Sequence, residues 1–212
     1  MLRQTDPEII ATKLAELRYW SNLIPRKVIE IELLKRIKQN PADFSELFKL
    51  YYKQIFGYIF RRTGIFDDSA DIAADTFMSA FQYINRFSYK GISIKIWLYR
   101  IATNEVNQYL RIRQKHNSLF SRIDFENVDQ FNTLLHDDKI ELETELQQHE
   151  QFITVMNELK TLPVKYQEVI SLRYFEGKDN KEIAEILDMN EGTLKSLLSR
   201  GLEKLRVKCN QI

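Results

Sequence analysis

Lys195, Ser196, Ser199 and Arg200 fall close together in the stretch NKEIAEILDMNEGTLKSLLSRGLEKLR, Asn180 to Arg206. At about 100° per residue, Leu194, Leu198, Gly201, Leu202 and Leu205 form one apolar stripe of a helix. Ser196, Ser199, Arg200 and Glu203 stand opposite it, with Thr193, Leu197 and Lys204 on one shoulder. Just upstream, Ile183, Ala184 and Leu187 face a core from a shorter helix with Asn180 as its cap, and Asp188-Met189-Asn190 makes the corner. Two such helices, with small Ala184 at the crossing, read as a helix-turn-helix whose second helix fits a major groove. Lys and Arg on that helix reach phosphates or guanine edges, and Ser and Thr either. A plain helical hairpin with a solvated charged face explains the same spacing. The basic tail from Lys204 to Lys208 favours a polyanion.

Charge along the chain points the same way. The net charge of +1 is uninformative, but Arg86 to His116 holds seven basic residues against Glu105 alone, a net +6. Asn117 to Glu150 then holds nine acidic residues against Arg122 and Lys139, a net −7. A basic block beside an acidic one suggests a polyanion-binding module followed by a linker.

The elements that must position these residues are helices. Gly and Pro are few, at six and four, and apolar residues recur at steps of three and four. Ile10, Leu14 and Leu17 mark one amphipathic helix, and Ile31, Leu34 and Ile37 a second that Pro25 opens. Phe44, Leu47, Phe48, Tyr51, Ile55 and Ile59 share one face of the next. A helix from Ser69 carries Ala73, Phe77, Ala80 and Ile84 inward, and another presents Leu98, Ile101, Ala102, Val106 and Tyr109. The fold class is therefore all-α. Cys209 is the only cysteine, which excludes an intrachain disulfide, and His116, His136 and His149 lack ligand spacing. No nucleophile–base pair or Gly-rich phosphate loop is visible, so an enzyme is not expected, nor a cofactor or metal. No apolar run is long enough to span a bilayer, and a cytoplasmic location is expected.

The segment Leu162 to Arg206 resembles region 4 of bacterial sigma factors, in particular the extracytoplasmic-function (ECF) type. The matching residues are Leu162-Pro163, Tyr166, Glu168, Leu172-Arg173, Glu176-Gly177, Glu182-Ile183-Ala184, Gly192-Thr193 and Lys195-Ser196. LLKRIKQNPADFSELFKLYYKQIFGYIFRRTG and DSADIAADTFMSAFQYINRF resemble the start of region 2, and SIKIWLYRIATNEVNQYLR its promoter-melting part. The resemblance implies a helical extension over 1–31, region 2 over 32–116, an acidic linker over 117–151 and region 4 over 152–212. It implies a protein that binds core RNA polymerase, directs it to promoter DNA and helps to melt it, with an anti-sigma factor as a candidate partner. The alternative is a helix-turn-helix regulator that does not support melting.

Residue by residue, the resemblance gives Thr193, Lys195, Ser196, Ser199 and Arg200 the upstream, minus-35 element. It gives Tyr89, Lys90, Lys95, Trp97, Arg100 and Asn104 the melted minus-10 element, where single-stranded DNA needs cations, stacking surfaces and a pocket for an extruded base. For Trp97, core burial is an equal reading. Asp71, Asp75 and Phe77 inherit the polymerase-clamp surface. Asp67, Asp71 and Asp75 share a helix face, but acidic residues at a helix N-terminus offset the macrodipole without a metal. Ala74 stands where the family usually has Gln, Ser79 where a basic residue is frequent, and Leu197 where Arg is common. On the shoulder of the recognition helix, Leu197 is expected to offer DNA apolar contact only.

Overall fold

A computed structural model of the chain describes residues 26–89, 92–116 and 149–210. Among these residues all regular structure is helical. The chain divides into two compact units, Met1–Phe44 and Ser45–Ile212. In the first, α1 (Arg26–Gln39) buries Leu33, Leu34 and Ile37. Asn40 ends it by capping the short 3₁₀ turn Pro41–Asp43, its side chain accepting from the Ala42 N–H at 3.3 Å. The expected helix with Ile10, Leu14 and Leu17 lies outside the described residues, as does the acidic segment 117–148.

The second unit begins one residue into α2 (Phe44–Thr63) and continues with α3 (Phe66–Tyr83) and α4 (Ile94–His116). Leu47, Tyr51, Ile55 and Ile59 of α2 are buried as their spacing implies, whereas Phe48 remains 39% exposed. Ala73, Phe77 and Ala80 of α3 and Leu98, Ala102 and Val106 of α4 are buried too, each at three- to four-residue steps. The helix expected from Ser69 starts earlier, at Phe66. Gly64 takes the left-handed conformation after α2, at φ 73°, and its N–H bonds the Phe60 carbonyl at 2.7 Å. The hydroxyls of Thr63 and Ser69 meet across that corner at 2.6 Å, which leaves only two residues between the helices.

Four further helices follow: α5 (His149–Thr161), α6 (Val164–Ile170), α7 (Asn180–Leu187) and α8 (Glu191–Cys209). A widened π turn, Ser171–Phe175, continues α6. Buried Gln167 ties α6 back to the end of α5, donating to the carbonyls of Lys160 at 3.0 Å and Leu162 at 2.7 Å. α8 approaches α6 at Gly201, where a Cβ would sit 3.2 Å from both Ile170 Cδ1 and Tyr166 Cδ1. Gly201→Leu should therefore overpack this crossing and lower stability by about 1–3 kcal/mol. Denaturant melts of the full chain measure it, and unchanged stability would mean that the helices do not meet there.

Lys160 of α5 donates to the Thr63 carbonyl of α2 at 3.0 Å. Burial, and then the charge of Arg113, push its pKa down to about 7. An unfolded lysine titrates near about 10.4. Between these values the unfolded chain binds the extra proton, so stability rises with pH above 7. Stability measured from pH 7 to pH 9 should therefore improve for the wild type relative to Lys160→Met. A constant difference would show that Lys160 stays charged in the folded chain.

Candidate nucleic-acid interface

The corner at the C-terminus forms as a helix-turn-helix. α7 starts at the expected cap, Asn180, and is capped one residue earlier, because the pair that closes is Asp179 with Glu182. The Asp179 carboxylate accepts from the Glu182 N–H at 2.8 Å, and the Glu182 carboxylate accepts from the Asp179 N–H at 3.0 Å. Asp188 ends α7 in the left-handed region at φ 52°. Asn190 then caps α8, accepting from the Thr193 N–H at 2.7 Å.

On α8 the buried residues are Leu194, Leu197 and Gly201, while Thr193, Lys195, Ser196, Ser199 and Arg200 are exposed. The polar face is thus presented together. Leu197 corrects the expectation set by the sequence: it is only 8% exposed and belongs to the core stripe, while Leu198 is half-buried at the edge. It offers DNA nothing. Leu197→Arg would put an unpaired charge into that core rather than a new cation into the groove. Arg200 is already oriented along the face, its Nη2 donating to Ser196 Oγ at 2.9 Å and its Nε to the Ser196 carbonyl at 3.2 Å.

A second surface lies at the start of α4. Trp97 stacks on Phe87 with centroids 4.6 Å apart, and the Arg86 guanidinium lies over the Tyr83 ring at 5.5 Å. These four side chains, with Ile92 and Arg100, line an open cleft of about 330 Å³. That is the low end of ligand-sized cavities, and because Trp97 and Phe87 stack directly on each other the space lies beside the ring pair, with Arg86 and Arg100 in its lining. Tyr83, Arg86 and Phe87 were not singled out as site residues from sequence; the adjacency of Arg86-Phe87 to the basic block was the available signal. Asn104 is exposed, and Tyr89 and Lys95 are half-buried. Lys90 lies outside the described residues. Arg100 is half-buried: its Nη2 donates to the Glu185 carbonyl on α7, and its Nε is buried without a hydrogen-bond partner.

On α3, Asp71 and Asp75 are exposed one turn apart, with Ala74 exposed beside them. Phe77 is 3% exposed and lies beneath that surface, edge-on to Phe48 at 4.8 Å, so it supports the face rather than forming it. Ser79 is within 3.4 Å of the Glu105 carboxylate. Among the described residues no three His, Cys, Asp or Glu side chains gather as a metal site, and no helix is long and apolar enough to cross a membrane.

Between these surfaces runs a buried polar network. Tyr58 and Thr103 share a hydrogen bond at 2.9 Å, Arg62 Nη1 donates to the Tyr58 hydroxyl at 2.9 Å, and Arg62 Nη2 to Asn107 Oδ1 at 3.0 Å. Asn107 in turn donates to Glu168 of α6. Burial holds the Glu168 carboxyl above its ordinary range, although Arg62, Asn107 and Arg111 pull it down. Burial and the neighbouring Glu176 carboxylate keep the Tyr99 hydroxyl protonated.

Comparison with known proteins agrees with this geometry. The family description Sigma-70 region 2 matches residues 47–116, and Sigma-70, region 4 matches residues 153–205. The ECF RNA polymerase sigma factor SigW of Bacillus subtilis is 30% identical over 183 residues, covering 84% of this chain and 97% of SigW. The ECF RNA polymerase sigma-E factor of Haemophilus influenzae is 31% identical over 180 residues, covering 83% of this chain and 93% of the relative. The fold is similar to that of CnrH, solved with the cytosolic domain of CnrY, at a TM-score of 0.60 and 19% identity over 86% of this chain and 97% of that one. Two matched segments in the sigma-factor order distinguish the chain from a regulator with a helix-turn-helix alone. The chain belongs to the ECF RNA polymerase sigma factors, non-catalytic initiation subunits that bind core RNA polymerase, direct it to promoters and help to open the DNA.

Proposed function

We propose that the exposed face of α8 reads the upstream promoter box, with Thr193, Lys195, Ser196, Ser199 and Arg200 as its contacts. The observation that carries this is the division of α8: those five residues are exposed while Leu194, Leu197 and Gly201 are buried. The cleft beside the Trp97–Phe87 ring pair receives a base extruded from the downstream box, with Arg86 in its lining and Asn104, Lys95, Tyr89 and Lys90 along the approach. The Asp71–Asp75 face of α3 meets the polymerase clamp. The chain itself catalyses no step and works in the cytoplasm with polymerase. An anti-sigma factor is its regulator by analogy with the RpoE of Bartonella quintana, which was solved with the anti-sigma factor NepR.

Reconstitution with core polymerase tests this reading. Permanganate should detect unpaired thymines in the downstream box only when the chain is present, and Trp97→Ala should reduce that signal without abolishing assembly. Promoter selection from a randomised upstream box should lose preference at one position in Arg200→Ala, with a cost of about 1–3 kcal/mol if the guanidinium grips a guanine edge. An equal loss on all sequences with a shallower salt slope would assign Arg200 to phosphate. Reversing Asp71 and Asp75 together should weaken capture by core polymerase; undiminished capture would remove that face from the interface.

A further inference from the structure

Of the two cations on the exposed face of α8, one is held in place and the other is not. Arg200 stands one turn after Ser196, the four-residue step at which side chains of a helix meet. Its Nη2 donates to Ser196 Oγ at 2.9 Å and its Nε to the Ser196 carbonyl at 3.2 Å. Nε and Nη2 make one edge of the guanidinium fork, so that edge is engaged by the helix itself. The outer edge, Nη1 with the second N–H of Nη2, makes no hydrogen bond or ion pair among the described residues. Glu203, three residues on, does not compete for it, because its carboxylate is turned to Arg206 Nε at 4.0 Å. Lys195 is exposed on the same helix, and among the described residues no acceptor holds its ammonium.

We infer that Ser196 is a positioning residue, which holds the Arg200 guanidinium with its outer edge presented to a guanine of the upstream box. The inference rests on the reading of α8 given above and narrows it, since Ser196 then acts through Arg200 rather than on the DNA. Two parallel N–H donors match the adjacent O6 and N7 acceptors that guanine shows in the major groove. An arginine that moves freely loses rotamer freedom when it binds, and one already held loses less. The brace also separates the work of the two cations. A planar fork fixed in direction suits a base edge, whereas the unbraced Lys195 ammonium is a mobile point charge suited to phosphate. A contact that merely stabilised the helix would be an exposed pair of small effect, and it would be indifferent to the base opposite.

Two measurements on the full-length chain test this. In the free chain, nitrogen relaxation of the Arg200 Nε–H should report a restricted side chain, which Ser196→Ala releases and Ser196→Thr, keeping a hydroxyl, restores. With core polymerase, selection from a randomised upstream box identifies the position at which Arg200→Ala loses guanine. Ser196→Ala should weaken preference at that same position by about three- to tenfold, with the salt slope unchanged because no phosphate contact is lost. Ser196→Thr should restore the preference. Combining Ser196→Ala with Arg200→Ala should lose no more than Arg200→Ala alone, since a brace does nothing without the group it holds. Lys195→Ala should weaken all sequences alike and flatten the salt slope. Losses that add, or a loss at another position, would put Ser196 on the DNA itself and overturn the inference. A Ser196→Ala chain that selects like the wild type, or an Nε–H as mobile in the wild type as in Ser196→Ala, would overturn it too. An equal loss on all sequences in Arg200→Ala would put the fork on phosphate and overturn the inference while α8 still met DNA. An Arg200→Ala chain indistinguishable from the wild type would overturn the α8 reading itself.

Discussion

A carboxylate taken out of water is stable only where donors meet it from fixed directions, and Glu176 meets that demand with donors from α2 and α4. The rest of the larger unit is arranged around it. For Arg61 to arrive, its side chain lies against Gly57. For Tyr99 to arrive, its ring packs edge-on to Tyr58 at 5.4 Å, and Tyr58 is fixed by Thr103 and Arg62. Arg62 hands the chain of bonds on to Asn107 and from there to Glu168. A rotation of any of these helices would leave a buried charge without its partner.

Apolar burial and polar joining are thus divided between different faces. Leu98, Ala102 and Val106 anchor α4 in the core of its own segment, while Tyr99, Arg100 and Asn107 of the same helix bond to the other segment. That division lets one element serve both the core of its own segment and the contact with the other.

Much of this was legible in the sequence, and the exceptions have physical causes. The three- and four-residue spacing of Ala73, Phe77 and Ala80 gave the inward face of α3, and all three are buried. On α8 the pattern was ambiguous: Leu197 and Leu198 are adjacent and identical, and only the close approach of Gly201 to Tyr166 and Ile170 selects Leu197 for the core. Asp179 and Asn180 are both good caps, and the three-residue step to Glu182 decides for Asp179. The family resemblance gives Phe77 to the polymerase-clamp surface while its spacing with Ala73 and Ala80 turns it inward, and the buried ring follows the spacing. Arg100 sits in a basic run that reads as a DNA groove. Its partner is a backbone carbonyl 85 residues away, which no local pattern reveals.

The π turn at Ser171–Phe175 carries a consequence for how such chains vary. Its Glu176 N–H bonds the carbonyl of Ser171, five residues back, so the turn holds one residue more than an α-helix would. Each residue added to or taken from a helix rotates the downstream chain by about 100°. Deleting a single residue there would leave α6 intact while swinging Glu176 away from Arg61 and Tyr99. Length, rather than residue identity, is then what this five-residue stretch encodes, and relatives with one residue fewer at this point would keep both DNA-facing segments while losing the means of docking one upon the other.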